Sequence, residues 1–173
     1  MSRLNTNRGL EMRGIFKQAA LVAAITVASA QPAQACWTNA GQDAVKIKHL
    51  NTMLMVTALR CRGGADNFLP QYNRFVTNNS ALIGSQNNLI KSHLAQTTGA
   101  KGAENALDRM SIGFANSYGT GHATMNCREL KELANDLASQ HHGVATLAAA
   151  ADNVVNASPL PGGVCPSRMA TRP

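Results

Sequence analysis

The sequence has 173 residues, of which 16 are basic and 9 are acidic, so that its formal net charge is +7. This length fits one ordinary domain. The basic surplus is mild and is not concentrated in an Arg/Lys cluster, which indicates solubility and argues against a nucleic-acid partner.

The N-terminal segment has the three parts of a secretory signal peptide. Arg13 and Lys17 supply the basic stretch, and residues 19–30 (AALVAAITVASA) form an apolar run. This run is shorter than the roughly 20 residues that a membrane span requires, which argues against an N-terminal anchor. Residues 33–35 (AQA) fit the rule for cleavage after small residues, so we expect the mature chain to begin at Cys36.

Both ends of this leader leave an alternative open. A cut after Ala30 would also follow small residues. Residues 1–11 are interpreted as either an upstream extension or the result of a wrongly chosen start, because the segment from Met12 is a complete signal peptide by itself. Without residues 1–35 the chain keeps 12 basic and 8 acidic side chains, or +4. No segment of this mature chain is expected to span a membrane.

Apolar residues at helical spacing predict four amphipathic helices after the leader. The first covers about 42–62, the second about 67–95 and the third about 103–118. The fourth covers about 126–155 and is either one long kinked helix or two short helices on either side of Gly143. In the second helix, apolar pairs recur every seven residues, which predicts packing of helix against helix.

Four such helices with short links predict an all-α fold, an up-down four-helix bundle that disulfides staple together. This bundle domain is assigned to residues 36–156. The remaining residues, 157–173, are rich in Pro and Gly and are predicted to be an irregular tail that Cys165 anchors.

Four cysteines in an exported chain predict two disulfides. Cys36 and Cys61 lie at opposite ends of the first predicted helix, roughly 30 Å apart, whereas a disulfide requires Cα atoms within about 7 Å. In an up-down bundle Cys61 and Cys127 lie at the same end, which predicts a bond between them. Cys36 and Cys165 are then left to pair with each other.

Several polar side chains fall on the apolar arcs of the predicted helices. Tyr72, Asn79, Gln86 and His93 do so on the second helix, and His141 does so on the fourth. One interpretation is a buried polar ladder that determines helix register, as buried asparagine does in coiled coils. The other is a ligand-binding cleft built from Asn79, Gln86, His93 and His141.

Signals for metal binding and catalysis are weaker. The two histidines of this set could bind a metal, but their spacing matches no helical metal motif, and we predict neither a metal site nor a cofactor. No catalytic motif occurs in the sequence, and no catalytic residue is assigned. An enzyme would need an inward acid, for which Glu104 and Asp152 are the candidates. Asp108 and Arg109 are interpreted as a solvated pair on the outer side of the third helix.

Four strings of the mature chain carry a resemblance to a known group of proteins. They are residues 36–37 (CW), 53–61 (MLMVTALRC), 72–76 (YNRFV) and 114–119 (FANSYG). These strings resemble small exported proteins of alphaproteobacteria of unassigned function. The resemblance covers most of the mature chain and implies export and a disulfide-linked helical domain. It implies no activity and no functional residue.

Together these features predict a non-catalytic protein of the cell envelope, either periplasmic or secreted, with a structural or partner-binding role. Its partner would be another envelope protein or the cell wall. One alternative is a periplasmic helical bundle that binds a small ligand or a metal ion. A second alternative is an enzyme of unrecognised type that acts in the envelope.

Overall fold

The computed structural model describes residues 36–155, 160 and 162–166. The predicted signal peptide, residues 1–35, lies outside the described residues, as does most of the predicted tail. Over the described part of the chain the secondary structure is helical, which confirms the predicted all-α class. The helices are α1 (Asn39–Cys61), α2 (Leu69–Asn78), α3 (Ser80–Ser117), α4 (Cys127–Ala138) and α5 (Val144–Val154).

The arrangement of these helices differs from the predicted four-helix bundle, because α1 lies at the centre. It contacts each of the other four described helices. A helix with neighbours on most sides must be apolar around most of its circumference. Buried residues accordingly recur at almost every turn of α1, among them Ile47, Leu50, Met53, Leu54 and Ala58.

The start of α1 is determined by a local cap. Thr38 has extended backbone geometry, and its Oγ1 accepts a hydrogen bond from the backbone N–H of Gly41 at 3.1 Å. Such a cap satisfies an N–H group that has no partner within the helix. The helix therefore begins at Asn39, a few residues before the predicted start. Gly41 also leaves room for the ring of Trp37, which lies 3.0 Å from the position of a Cβ atom there.

The predicted second helix, 67–95, is broken at Asn79. This residue has φ −113° and ψ 16°, and it separates α2 from α3. Its side-chain Nδ2 donates a hydrogen bond to the carbonyl oxygen of Phe75 at 3.0 Å. Asparagine competes for backbone groups in this way, which explains why it interrupts a helix that the apolar pattern alone would continue.

The predicted second and third helices are joined through a single residue. Gly99 has φ 69° and ψ 168°, a backbone conformation that glycine alone adopts readily. It divides α3 into two segments, which we call arm A (80–98) and arm B (100–117). The loop expected between 95 and 103 is thus reduced to a sharp bend, and the two arms lie close together.

The predicted fourth helix is two short helices, α4 and α5, which settles the alternative that the sequence left open. The start of α4 is a capping box, in which Asn126 and Glu129 bond reciprocally to each other's backbone N–H groups. Asn126 Oδ1 accepts from the N–H of Glu129 at 3.1 Å, and Glu129 Oε2 accepts from the N–H of Asn126 at 2.8 Å. Gly143 stands immediately before α5.

Two disulfides join the predicted partners in a nested pattern. Cys36 is bonded to Cys165 and Cys61 to Cys127, with Cα–Cα distances of 4.8 and 5.8 Å. Beside the first bond, the N–H of Cys165 donates to the carbonyl oxygen of Trp37 at 3.0 Å. Two disulfides in a small domain indicate an oxidising compartment.

None of the described helices is both long enough and apolar enough to cross a membrane.

The core of the described residues consists of two clusters. The larger one surrounds the second half of α1 and includes residues of α2, α4 and α5. The smaller one lies between the first half of α1 and the two arms of α3. Its buried members are Trp37, Ala44, Val45, Ile90, Leu107 and Phe114, and Leu94, Met110 and Leu160 pack against it.

Candidate functional site

A groove of about 580 Å³ opens between the two arms of α3, and we call it the α3 groove. Its volume falls within the range of about 300–1,000 Å³ that is typical of small-molecule sites. It is lined by Leu94, Thr97, Thr98, Ala106, Arg109, Met110, Gly113, Phe114, Ser117 and Leu160.

The smaller core cluster forms the base of this groove. Phe114 is buried in that cluster, and Leu94, Met110 and Leu160 pack against it from the groove side. At Gly113 the lining has no side chain, and a Cβ atom placed there would meet nothing within 4 Å. The groove is therefore open because glycine stands on arm B where a larger residue would project into the space.

The hydroxyl groups in the lining form hydrogen bonds with backbone carbonyl groups of their own helix. Thr97 Oγ1 and Thr98 Oγ1 donate to the carbonyl oxygen of Leu94 at 3.1 and 2.9 Å, and Ser117 Oγ donates to that of Gly113 at 3.1 Å. Threonine side chains that bond back to the preceding turn leave their methyl groups for other contacts. The walls consequently behave as more apolar than their sequence suggests.

Arg109 is the charged residue of the lining. It is exposed and forms no ion pair or hydrogen bond with the described residues. Asp108 and Arg109 are both exposed, as predicted, although no ion pair joins them among the described residues. The pKa of Lys48 is lowered by burial, and the Asp108 carboxylate opposes this effect.

Two of the four predicted ligand-binding residues lie where α2, α3 and the α4–α5 link meet. Asn79 is buried, and its Oδ1 accepts from the N–H of His142 at 2.9 Å. Asn78 Nδ2 donates to the carbonyl oxygen of Ala138 at 2.9 Å, and His141 Nδ1 bonds to the carbonyl oxygen of Asn78. The predicted inward position of His141 is wrong, since α4 ends before it and its side chain is exposed.

The other two predicted residues lie further along arm A. Gln86 is buried, and its Nε2 donates to Ser85 Oγ at 3.1 Å. The ring of His93 stacks on that of Trp37 with centroids 3.8 Å apart. Asn79 and His93 are separated by about 21 Å along the helix axis, so the four residues do not converge on one ligand. Their contacts join parts of the chain, and their ligand-binding role stays a prediction.

Tyr72 behaves as a connecting residue as well. Its hydroxyl donates to Asn51 Oδ1 of α1 at 3.3 Å, and burial raises the pKa of the phenol. This contact is the kind of inward polar bond that the register interpretation expects.

The two candidate inward acids are on the surface, so the predicted inward position is wrong for both. Glu104 pairs with Lys91 at 3.0 Å, and Asp152 pairs with Lys46 at 2.9 Å. Burial of a carboxylate costs free energy unless the charge is paired and hydrogen-bonded, which accounts for the surface positions of Glu104 and Asp152. Within the described residues, no group of three or more His, Cys, Asp and Glu side chains could hold a metal ion.

A buried histidine in α1 was not singled out from the sequence. His49 is 3% exposed, its ring stacks on Phe114 at 4.1 Å, and its Nε2 lies 3.0 Å from Tyr118 Oη. Burial lowers the pKa of His49 to about 4. Its spacing along α1 was the signal that could have indicated burial. Val45 and Met53 lie four residues before and after His49, on the same face of the helix, and both are buried.

The α3 groove itself was also missed by the sequence reasoning. Its available signal was two of the glycines of α3, Gly99 at the bend and Gly113 on the lining. Comparison with protein-family models, curated proteins and solved structures finds no match to this chain. The function must therefore be inferred from the geometry of this molecule.

Proposed function

We propose that this chain is a non-catalytic, exported protein of the cell envelope that binds a small, largely aliphatic ligand in the α3 groove. The observation that carries the proposal is the groove, an open space of about 580 Å³ with apolar walls on a disulfide-linked domain. The proposal combines the predicted binding role with the small-ligand alternative.

The energetic basis is the transfer of an aliphatic chain from water to the walls of the groove. Each methylene group that leaves water contributes about 0.8 kcal/mol. The back-bonded hydroxyls of Thr97, Thr98 and Ser117 do not require a polar partner from the ligand. A flexible chain with few polar groups therefore matches this lining better than a sugar or a nucleotide does.

Filling the groove is expected to abolish binding. Gly113→Leu places a side chain in the groove, and Gly84→Leu is the matched control, because a Cβ atom meets nothing within 4 Å at either glycine and Gly84 is not part of the lining. Titration calorimetry with dodecanol, a neutral probe, should show binding to the wild type and to Gly84→Leu. Gly113→Leu should bind at least about tenfold more weakly, a loss of about 1.4 kcal/mol.

Two results would contradict this function. One is a wild-type protein to which dodecanol does not bind. The other is equal loss of binding in Gly113→Leu and Gly84→Leu. Sedimentation of the unliganded wild type serves as a further check, since a dimer dissociated by Gly113→Leu would show that a second copy of the chain occupies the groove.

Export is tested separately by the mass of the protein in its natural compartment. Protein isolated from the periplasm or the culture medium should begin at Cys36 and contain no free thiol. Recovery of the full 173-residue chain from the cytoplasm with its four cysteines reduced would overturn this part of the proposal.

A further inference from the structure

We infer that the α3 groove selects a ligand with a terminal carboxylate, which Arg109 binds, so that the ligand class is the long-chain aliphatic carboxylates. This inference rests on the proposed function and adds the chemistry of the head group. It follows from how charge is distributed around the groove.

No neighbouring position on arm B supplies a partner for Arg109. On a helix, side chains three and four residues away are the ones close enough to pair. For Arg109 these positions hold Asn105, Ala106, Ile112 and Gly113, none of which is acidic. Within the described part of the chain, the guanidinium group thus stands at the groove without an ion-pair partner.

The two acids nearest to Arg109 in the sequence, Glu104 and Asp108, are not part of the described lining. Glu104 Oε1 lies 3.0 Å from Lys91 Nζ and links the two arms. Asp108 is exposed, and its carboxylate opposes the effect of burial on the pKa of Lys48 of α1. An anionic ligand is therefore not repelled by a carboxylate in the lining and does not have to displace an ion pair of Arg109.

The nature of the head group follows from the guanidinium group. Its planar fork of N–H donors matches the two oxygens of a carboxylate in a bidentate contact. Among the described residues of the lining, Arg109 is the single cation, which balances one negative charge. A phosphate monoester, with close to two negative charges at neutral pH, would require a second cation. The geometry thus favours a carboxylate over a phosphate.

The test compares probes that share one chain and differ in the head group. Dodecanoate, dodecyl phosphate, dodecanol and dodecyltrimethylammonium are titrated into the oxidised protein below their micelle concentrations. Dodecanoate should bind at least about tenfold more tightly than dodecanol, because a hydrogen bond to a charged group contributes about 1.5–3 kcal/mol. Dodecyltrimethylammonium should bind more weakly than dodecanol.

Variants then assign this preference to one side chain. Arg109→Gln should lose about tenfold in affinity for dodecanoate and keep its affinity for dodecanol. Lys101→Gln removes the same charge from another exposed position of arm B outside the lining and should retain the preference. Arg109→Lys should keep part of the preference for dodecanoate over dodecanol, because lysine keeps the positive charge but lacks the bidentate fork.

The outcomes separate this inference from the proposed function. If dodecanol binds and dodecanoate binds no better, the groove is a ligand site and the carboxylate assignment is wrong. Equal losses in Arg109→Gln and Lys101→Gln would overturn it as well, since they would indicate a general charge effect. Tighter binding of dodecyl phosphate than of dodecanoate would assign a different head group. If none of the probes binds, both proposals fail.

Discussion

Replacement of Cys36 and Cys165 by alanine is expected to lower the free energy of unfolding by about 4 kcal/mol. The bond joins residues 129 positions apart, and the second bond, with a separation of 66, lies inside that loop. Because the inner bond shortens the loop that the outer bond closes, the two contributions are not additive. Urea unfolding of the double variant, followed by the fluorescence of Trp37, measures the change.

The same variant should also bind the ligand more weakly. Leu160 is part of the lining, and it precedes Gly163 and Cys165, which are hydrogen-bonded to the backbone of Trp37. The matched control is Cys61→Ala with Cys127→Ala, which removes a disulfide away from the groove. A loss of stability below about 1 kcal/mol in the first variant, or equal effects on dodecanol binding in both, would contradict this prediction.

The stability of the domain is expected to fall by about 3 kcal/mol between neutral pH and pH 4 because of His49. Burial lowers the pKa of this histidine in the folded state from 6.5 to about 4. Below pH 6.5 the unfolded chain therefore takes up a proton that the folded chain excludes, so stability is fully present above this pH and is lost progressively toward pH 4. Urea unfolding at a series of pH values measures the loss.

His49→Gln removes the titrating group and should reduce this pH dependence, whatever its effect on stability at neutral pH. His141→Gln, at an exposed position, is the control and should leave the dependence unchanged. NMR titration of the wild-type imidazoles provides a measurement without substitution, since the ring of His49 should stay neutral at pH 5. A His49 ring that titrates near 6.5 would show the prediction to be wrong.

Local signals were sufficient for much of the fold. The capping residues Asn126 and Glu129 act within one helical turn, so the start of α4 could be predicted without knowledge of its neighbours. For the disulfide pairing, local geometry excluded one possibility, because the length of the first helix keeps Cys36 away from Cys61, and the predicted up-down order of the helices then selected Cys61 and Cys127 as partners.

The break at Asn79 shows where periodicity fails. Apolar pairs continue at seven-residue spacing on both sides of it, so the pattern looks the same whether or not the helix is interrupted. The break is stabilised by the buried Asn79 side chain, which bonds to Phe75 and to the backbone of His142. The second of these partners lies 63 residues away, and a local pattern contains no information about it.

The sequence alone was sufficient to predict the helical class, which depends on residue type and short-range spacing, and the cysteine partners, which also required the order of the helices. The leader and the export that it predicts stay predictions. Only the tertiary structure decided where the candidate site lies. Arg109 lies on arm B, and it lines a groove only because the bend at Gly99 brings arm A beside arm B. Whether a side chain lines a groove depends on elements that meet across the fold.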